Sequence, residues 1–272
     1  MPRPSVAEKR AAFRELHKSG CFVIPNPWDV GSARYLQSLG FKALASTSSG
    51  FAWSVAHADN AVGVDMVLAH LKEICDATEV PVNADFEGGY ADDPAGVAAN
   101  VTRCCATGVA GLSIEDFTGD NAKPLFDRAL AVERIKAARK AIDADNSGVL
   151  LTGRCEAFLR GVKDMNLVID RLTAYAEAGA DCLYAPGIST KEEISTVVKA
   201  VHPRPVNLLV GAAGPGLADA GSLGVRRISV GGALGRMAWA GFMKASKEMA
   251  EKGTFFELAN GYPGGELNKM FG

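Results

Sequence analysis

The sequence lacks the features that mark several classes of protein. No apolar run is long enough to cross a bilayer, and the N-terminus has no apolar signal core, so we expect a cytoplasmic protein. The 29 lysines and arginines nearly balance the 31 aspartates and glutamates, and neither charge forms a long run. Nucleic acid and membrane surfaces are therefore not expected as partners, because both attract a concentrated positive patch.

Histidine and cysteine are too dispersed to predict a zinc site or a disulfide framework. The four histidines do not converge near predicted strand ends, and the six cysteines include no Cys-x-x-Cys pair. Only His57, near Asp59, is placed where it could face a site. The cysteines, including Cys155, are predicted to pack as small apolar side chains. No lysine ends a predicted strand, which disfavours a Schiff-base aldolase.

What the chain does have is a regular alternation of short apolar runs and amphipathic stretches, about thirty residues apart, as in parallel βα units. Eight such runs are predicted strands: Cys21 to Pro25, Ala43 to Ser46, Val82 to Ala84, Gly111 to Ile114, Val149 to Thr152, Cys182 to Ala185, Val206 to Val210 and Arg227 to Val230. This pattern and a length of 272 residues predict a single α/β domain over residues 1–272, folded as a (β/α)8 TIM-type barrel. An open doubly wound sheet is the main alternative, but the turn after the first strand has no glycine-rich phosphate loop.

Helix boundaries are marked by capping residues and by glycines. Ser5 with Glu8, and Thr190 with Glu193, have the spacing of capping boxes, and Asp93 precedes a proline suited to the first helical position. The leading helix is predicted to end at Gly20, and three further glycines are predicted helix C-caps: Gly40, Gly108 and Gly179. Residues 235–258 are predicted to form the eighth barrel helix, followed by a glycine-rich tail.

Acidic side chains follow three consecutive predicted strands. Asp85 and Glu87 follow the third strand, Glu115 the fourth, and Arg154 and Glu156 the fifth. In a TIM-type barrel these positions meet at the C-terminal mouth, and period-two alternation places Asp85 and Glu87 on one side. Carboxylates gathered there repel one another unless a cation neutralises them. Oxygen ligands without a His or Cys set predict Mg²⁺, with Mn²⁺ as the alternative.

The same residues have a plainer interpretation, which stays open. The acids could form salt bridges on a solvated rim, with Arg154, Lys123 or Arg103 as partners. Arg154 itself suits a substrate carboxylate, because its planar fork binds one in bidentate fashion, but it could instead pair with Glu87 or Glu156. The glycines after the seventh and eighth strands could bind phosphate or simply form tight turns.

Several segments together resemble the isocitrate lyase/phosphoenolpyruvate mutase superfamily, over nearly the whole chain. They are residues 81–90 (PVNADFEGGY), 111–116 (GLSIED), 153–156 (GRCE), 175–181 (YAEAGAD) and 227–232 (RISVGG). The resemblance implies Mg²⁺-dependent making or breaking of C–C or P–C bonds beside a 2-oxo acid, through an enolate of pyruvate or a close relative.

The resemblance also implies a role for individual residues. Asp85 resembles the direct metal ligand, and three carboxylates resemble the outer set that holds metal-bound water: Asp59, Glu87 and Glu115. Arg154 resembles the clamp for the substrate carboxylate. The other end of the bound acid is expected at residues 48–51, which are Ser48, Ser49, Gly50 and Phe51, and Asn207 resembles a polar residue facing the substrate.

The chain departs from this resemblance in the loop after the fourth strand. Lyases of the superfamily carry a Lys-Lys-Cys-Gly-His motif there, whereas residues 117–124 read FTGDNAKP, without cysteine or histidine. Asn121 resembles the loop asparagine of the phosphonate branch and is a candidate catalytic residue beside Arg154 and Glu115. The missing cysteine disfavours cleavage of isocitrate or methylisocitrate, and the loop's glycine and proline suit a lid that excludes water.

Three functions follow as alternatives. The first is a Mg²⁺-dependent lyase or decarboxylase of a small 2-oxo (or 2-hydroxy) dicarboxylic acid resembling oxaloacetate, because loss of CO₂ needs no thiol acid. The second is a mutase or hydrolase of phosphonopyruvate. The third is a 2-oxo acid binding protein with reduced catalysis. The resemblance also implies a homo-oligomer, a dimer or tetramer, with a helix near the C-terminus exchanged between subunits.

Overall fold

The computed structural model describes residues 3–272 and contains one sheet of eight parallel strands. The strands are β1 Phe22–Val23, β2 Leu44–Ala45, β3 Val82–Asp85, β4 Gly111–Glu115, β5 Leu150–Arg154, β6 Cys182–Tyr184, β7 Val206–Leu209 and β8 Arg227–Ser229. Their order in the sheet is β1-β8-β7-β6-β5-β4-β3-β2. All eight predicted strands are confirmed, and β3, β4 and β5 extend one or two residues further toward the mouth.

The first two strands meet at the mouth, which curls the sheet round as in a TIM-type barrel. The Ala45 amide donates to the Pro25 carbonyl at 3.0 Å. The Asn26 side chain, just after β1, donates to the Ser46 carbonyl at 3.0 Å and accepts from the Gly231 amide at 2.9 Å. A single buried amide therefore joins β1 to the strands on both of its sides.

Helices follow the strands in the expected alternation, and the three N-caps predicted from the sequence are present. The helices are α1 Val6–Leu16, α2 Val30–Ser38, α3 Ser48–Ser54, α4 Val64–Ala77, α5 Pro94–Ala106, α6 Arg128–Ala144, α7 Met165–Glu177, α8 Lys191–Val201, α9 Leu217–Ser222, α10 Ala233–Lys252 and α11 Gly264–Phe271. Both predicted capping boxes are present, at Ser5 with Glu8 and at Thr190 with Glu193. Asp93 caps α5 by accepting from the Gly96 amide at 2.9 Å.

Two predicted boundaries are wrong. The leading helix ends at Leu16 rather than near Gly20, with His17 as its C-cap residue. At the other end α10 stops at Lys252, and the segment predicted as a glycine-rich tail contains a 3₁₀ turn, Phe256–Asn260, and the helix α11. Helix α11 begins with glycines at positions 264 and 265. The first turn of a helix tolerates glycine better than the interior does.

The core has two parts, and their arrangement leaves one end of the barrel free. The larger part packs the helices against the outside of the sheet. The smaller part lies at the N-terminal strand ends, where Phe13 of α1 packs with Ile24, Ala43, Ala110 and Leu150. Helix α1 thus closes the bottom, and the C-terminal strand ends remain for a site. Within residues 3–272, no helix is both long and apolar enough to span a membrane.

Candidate active site

A cavity of about 150 Å³ opens at the C-terminal ends of the strands. Six residues predicted for the site line it: Ser48, Ser49, Asp59, Asp85, Arg154 and Asn207. Strand residues not predicted for the site also line it, among them Tyr184, Arg227 and Ser229. The sequence therefore located the mouth correctly, but not all of the residues that shape it.

A second cavity, of about 390 Å³, adjoins the first on the side of the acidic cluster. It is lined by Glu87 and Glu115, by Tyr90, and by the start of the loop at Phe117. The predicted carboxylates are therefore divided between two neighbouring cavities, with Asp85 and Asp59 in one and Glu87 and Glu115 in the other.

Arg154 lies among three of the acids. Its guanidinium donates to Glu156 at 2.6 Å and to Asp85 at 3.1 Å, and it forms an ion pair with Glu115 at 3.2 Å. Although burial lowers the pKa of Arg154, the neighbouring carboxylates, Glu115 foremost, raise that pKa well above the usual arginine value. Arg154 is thus a permanent cation, and the salt-bridge interpretation holds for it. Arg103 and Lys123, the other candidate partners, pair elsewhere on the surface.

Glu87 departs from the alternation expected of a strand. Strand β3 ends at Asp85, and Glu87 has a φ of 45°, which turns its side chain out of the period-two pattern. Burial and then the Asp85 charge raise the pKa of Glu87 to about 7. A non-glycine residue in this conformation stores backbone strain, which is common at functional sites.

The acidic cluster is short of positive charge, and its donor set fits a hard cation. Burial raises the pKa of Glu115 well above its usual range, although Arg154 opposes the shift. Within residues 3–272, no three His, Cys, Asp or Glu side chains converge closely enough to form a complete metal cage. Mg²⁺ needs no such cage, because it commonly takes one or two carboxylates and keeps several waters. Asp85, beside Glu87 and Glu115, supplies such a set.

Asp85 is held in place from the end of β2. Its backbone amide donates to the Ser46 hydroxyl at 2.9 Å, and its carboxylate accepts from the Ser48 amide at 3.1 Å. One carboxylate oxygen accepts from the Ser48 amide and the other contacts Arg154, so the side chain is fixed from two sides. A carboxylate oriented in this way is suited to be a direct metal ligand.

The serine-glycine run after β2 forms a short helix rather than an open loop. Thr47 caps α3, and its hydroxyl accepts from the Gly50 amide at 3.3 Å. Ser48 and Ser49 line the cavity, whereas Gly50 and Phe51 are buried outside its lining. The Phe51 ring stacks on His70 at a centroid distance of 3.7 Å, so that side chain supports α3 from behind.

The buried His70 ring should make the protein sensitive to acid. Burial lowers the pKa of His70 to about 4, so the folded state holds the ring neutral and resists a proton that the unfolded chain accepts near pH 6.5. Stability is therefore complete above about pH 6.5 and falls as the pH drops toward 4. Between pH 7.5 and 4.5, the free energy of unfolding should fall by about 2.5 kcal/mol less in His70→Phe than in the wild type, as measured by chemical denaturation. His57→Phe, at an exposed position, is the matched control, and equal pH profiles for wild type and His70→Phe would refute the assignment.

The loop after β4 does not bring Asn121 to the cavity. Asn121 is exposed and lies outside the lining of both cavities. The loop folds back on itself, with the Thr118 amide donating to the Pro124 carbonyl at 3.0 Å. A catalytic role for Asn121 remains a prediction that requires the loop to move.

An arginine that sequence analysis missed connects this loop to the acidic cluster. The Arg160 guanidinium lies 3.5 Å from the centroid of the Phe117 ring and donates to Glu156 at 3.2 Å. Glu156 is fully buried and holds Arg154 and Arg160 together. It is therefore a positioning residue in this structure rather than part of the cavity lining, and its (i, i+4) spacing to Arg160 was the available signal.

Cys155 lies behind the mouth, as packing predicts. All six cysteines in the described chain are free thiols, and five are buried. Burial raises the pKa of the Cys155 thiol well above its usual value, so the group stays protonated at neutral pH. Beside it, Asp116 accepts from Tyr175 at 2.6 Å, from Arg171 at 3.0 Å and from the Glu156 amide at 2.8 Å. This network fixes the end of β5.

Comparisons with known proteins identify a family and several similar structures. Residues 13–250 match the family described as phosphoenolpyruvate phosphomutase. A crystal structure from Burkholderia cenocepacia, described as a lyase or mutase, is 45% identical, with a TM-score of 0.94 over 98% of this chain and 97% of that chain. A second crystal structure from that organism, described as a phosphonomutase, is 32% identical. Its TM-score is 0.82, and the match covers 92% of this chain and 100% of that chain.

A curated relative has a stated activity. The oxaloacetate decarboxylase of Pseudomonas putida is 31% identical over 236 residues, which is 80% of this chain and 76% of that protein. The relatives include carbon–carbon lyases, which confirms the predicted class of enzyme. The chain thus belongs to the phosphoenolpyruvate phosphomutase family, within the isocitrate lyase/phosphoenolpyruvate mutase superfamily.

Proposed function

We propose that this protein is a Mg²⁺-dependent lyase or decarboxylase of a small 2-oxo dicarboxylic acid resembling oxaloacetate, with a pyruvate enolate as the intermediate. The observation that carries the proposal is one small cavity bordered by a fixed carboxylate, Asp85, and a permanent cation, Arg154. A cavity of about 150 Å³ admits a four-carbon acid, whereas larger ligands occupy roughly 300 Å³ or more. The relationship to oxaloacetate decarboxylase points to the same substrate class.

The proposed mechanism divides the work between the residues of the mouth. Arg154 binds the substrate carboxylate, exchanging one of its three carboxylate contacts for the ligand. Asp85 would hold the cation directly, and Glu87, Glu115 and Asp59 would serve as the outer carboxylates that hold metal-bound water. When bound, Mg²⁺ supplies Lewis acidity that stabilises negative charge developing on the 2-oxo group. Ser48 and Ser49 line the cavity and would orient the far end of the acid.

The loop after β4 contains no cysteine, and the proposed chemistry does not require a thiol as acid or base. We expect Cys155→Ala to retain activity within about twofold, because the buried thiol lies outside the cavity lining. A fall in thermal stability of about 1 kcal/mol is expected from the small volume lost. Activity would be measured as pyruvate release, beside Cys182→Ala as a matched buried control. A large loss of kcat in Cys155→Ala alone would show that a thiol takes part.

P–C bond chemistry on phosphonopyruvate is the second candidate, favoured by the likeness to a protein described as a phosphonomutase. The substrate panel that separates the candidates is oxaloacetate, phosphonopyruvate and methylisocitrate, each incubated with the purified protein and Mg²⁺. Pyruvate release from oxaloacetate alone would support the first proposal. Turnover of phosphonopyruvate would support the second, and lyase-like rates with methylisocitrate would refute the argument from the missing loop cysteine.

A third candidate, a 2-oxo acid binding protein with reduced catalysis, predicts binding without turnover of any of these acids. The exposed position of Asn121 is the observation in its favour. Titration calorimetry with oxalate and Mg²⁺ would detect the binding, and measurable turnover of any substrate in the panel would eliminate this candidate.

We further propose one domain over residues 1–272, a cytoplasmic location, and a homo-oligomer that exchanges a helix near its C-terminus. Support for the oligomer comes from large apolar side chains that are exposed on α10 and the segment after it: Met237, Phe242, Met243, Phe255, Phe256 and Tyr262. Such a concentration is typical of a protein interface. Light scattering would give the subunit number, and a monomer at micromolar concentration would exclude the oligomer.

A further inference from the structure

Arg227, at the start of β8, carries a buried positive charge at the floor of the cavity. Its side chain points into the barrel, is only 3% exposed, and lines the same cavity as Asp85 and Arg154. Barrel interiors are usually filled by branched apolar side chains, so an arginine here is exceptional. The proposed mechanism makes no use of it.

The partners of Arg227 are all uncharged. Its Nε donates to Asn207 Oδ1 at 2.8 Å, and one terminal nitrogen donates to the Thr152 hydroxyl at 3.0 Å. The other terminal nitrogen lies 3.4 Å from Asn83 Oδ1 and 3.3 Å from His17 Nε2. Among the described residues, no carboxylate lies within salt-bridge distance of Arg227. Burial and then Arg227 itself lower the pKa of His17 to about 3, so His17 is neutral.

A buried charge without a counter-ion is costly, because neutral dipoles replace only part of its hydration. The protein tolerates this cost at a point that faces the proposed substrate. At the other end of the cavity, Arg154 is already surrounded by three carboxylates. Among the described residues that line the cavity, Arg227 is the only cation without a carboxylate partner. A ligand with two negative groups would therefore meet an uncompensated positive charge at the floor of the cavity.

The contact with Asn207 also fixes the orientation of that amide. Because Asn207 Oδ1 accepts from Arg227, the nitrogen must point the other way, and it donates to the Ser229 hydroxyl at 3.0 Å. One N–H of Asn207 remains for a ligand. Arg227 and Asn207 thus present a positive charge and a hydrogen-bond donor from the same side of the cavity.

We propose that Arg227 is a specificity-determining residue, whose uncompensated charge makes the cavity select dianions over monoanions. The inference rests on the proposed function, which already takes a dicarboxylic acid as the substrate, and it assigns the selection of that charge to one residue. It predicts that the protein binds oxalate, a dianion, in preference to pyruvate, a monoanion of similar size.

The test compares two variants that differ in charge but retain polarity at this position. Arg227→Gln removes the charge and can still hydrogen-bond to Asn207, whereas Arg227→Lys retains the charge. Calorimetry in Mg²⁺ would measure the dissociation constants of oxalate and pyruvate for each protein. Arg227→Gln should weaken oxalate binding about tenfold to a hundredfold and pyruvate binding less than about threefold. Arg227→Lys should keep the oxalate preference.

A purely structural role predicts a different result. If Arg227 only fills the barrel, Arg227→Gln and Arg227→Lys should weaken both ligands alike, in step with a lower Tm, and the inference would be wrong. His17→Phe is the matched control, because it removes a partner of Arg227 from the side of α1, outside the cavity lining. It should lower the Tm and leave the oxalate-to-pyruvate ratio unchanged. Because the assay needs no turnover, a protein that fails to decarboxylate oxaloacetate but shows the Arg227-dependent ratio would refute the proposed function alone.

Discussion

Asp85→Ala is expected to abolish metal-dependent activity, with a loss in kcat/KM of at least about a thousandfold. The carboxylate lies at the cavity, and contacts with the Ser48 amide and Arg154 fix its position. Its removal takes away the proposed direct ligand and leaves the remaining acids with the wrong geometry for the cation. The measurement is the initial rate of pyruvate release from oxaloacetate at saturating Mg²⁺.

The matched control for this variant is Asp76→Ala on the exposed face of α4. Asp76 forms only a surface ion pair with Lys72, so its loss should cost less than about 0.5 kcal/mol of stability and leave the rate unchanged. Raised Mg²⁺ should not rescue Asp85→Ala if the ligand is lost outright. Unchanged activity in Asp85→Ala would remove this residue from the site.

Replacing Arg154 by methionine should lower kcat/KM by about a hundredfold to a thousandfold, with much of the loss in KM. The guanidinium is the cation at the mouth, and its fork suits a carboxylate better than an ammonium does. Arg154→Lys should therefore recover only a small part of the lost affinity. Steady-state kinetics on both variants would separate the binding effect from the catalytic effect.

A second consequence of Arg154→Met concerns stability. Glu156 is fully buried and would keep only Arg160 as a partner, so we expect a stability loss of about 3 kcal/mol. Arg103→Met, which breaks an exposed pair with Asp65, is the control for removing an arginine. If Arg154→Met kept the wild-type KM, the clamp role would be excluded even if the protein were less stable.

The fold was predictable because its signals are local and repeated. Each strand is a short apolar run, and capping residues such as Ser5 and Thr190 mark the helix starts that separate them. The acidic mouth followed from strand ends, since a barrel brings those positions together whatever the loops do. The C-terminal helix α11 was missed because it opens on two glycines, which disfavour a helix in isolation.

Some details of the site have no signal in the local sequence, and others had a signal that was not used. The positive φ of Glu87 has no signal in the sequence, so its departure from strand geometry after Asp85 could not be predicted. The Thr47 cap could have predicted that the serine run starts a helix and turns Phe51 away from the cavity. Arg227 stood within a predicted buried strand, and that conflict between charge and burial was a readable signal of a special role.

The most direct test of the central claim, that the acidic mouth holds a hard divalent cation beside a small 2-oxo acid, is diffraction from crystals grown with Mn²⁺ and oxalate. Anomalous scattering at the manganese edge would locate the ion without reference to any assumed chemistry. We expect one peak next to the Asp85 carboxylate, with oxalate in the cavity and within hydrogen-bond distance of Arg154. A peak away from Asp85, or oxalate bound with no ion beside it, would contradict the account.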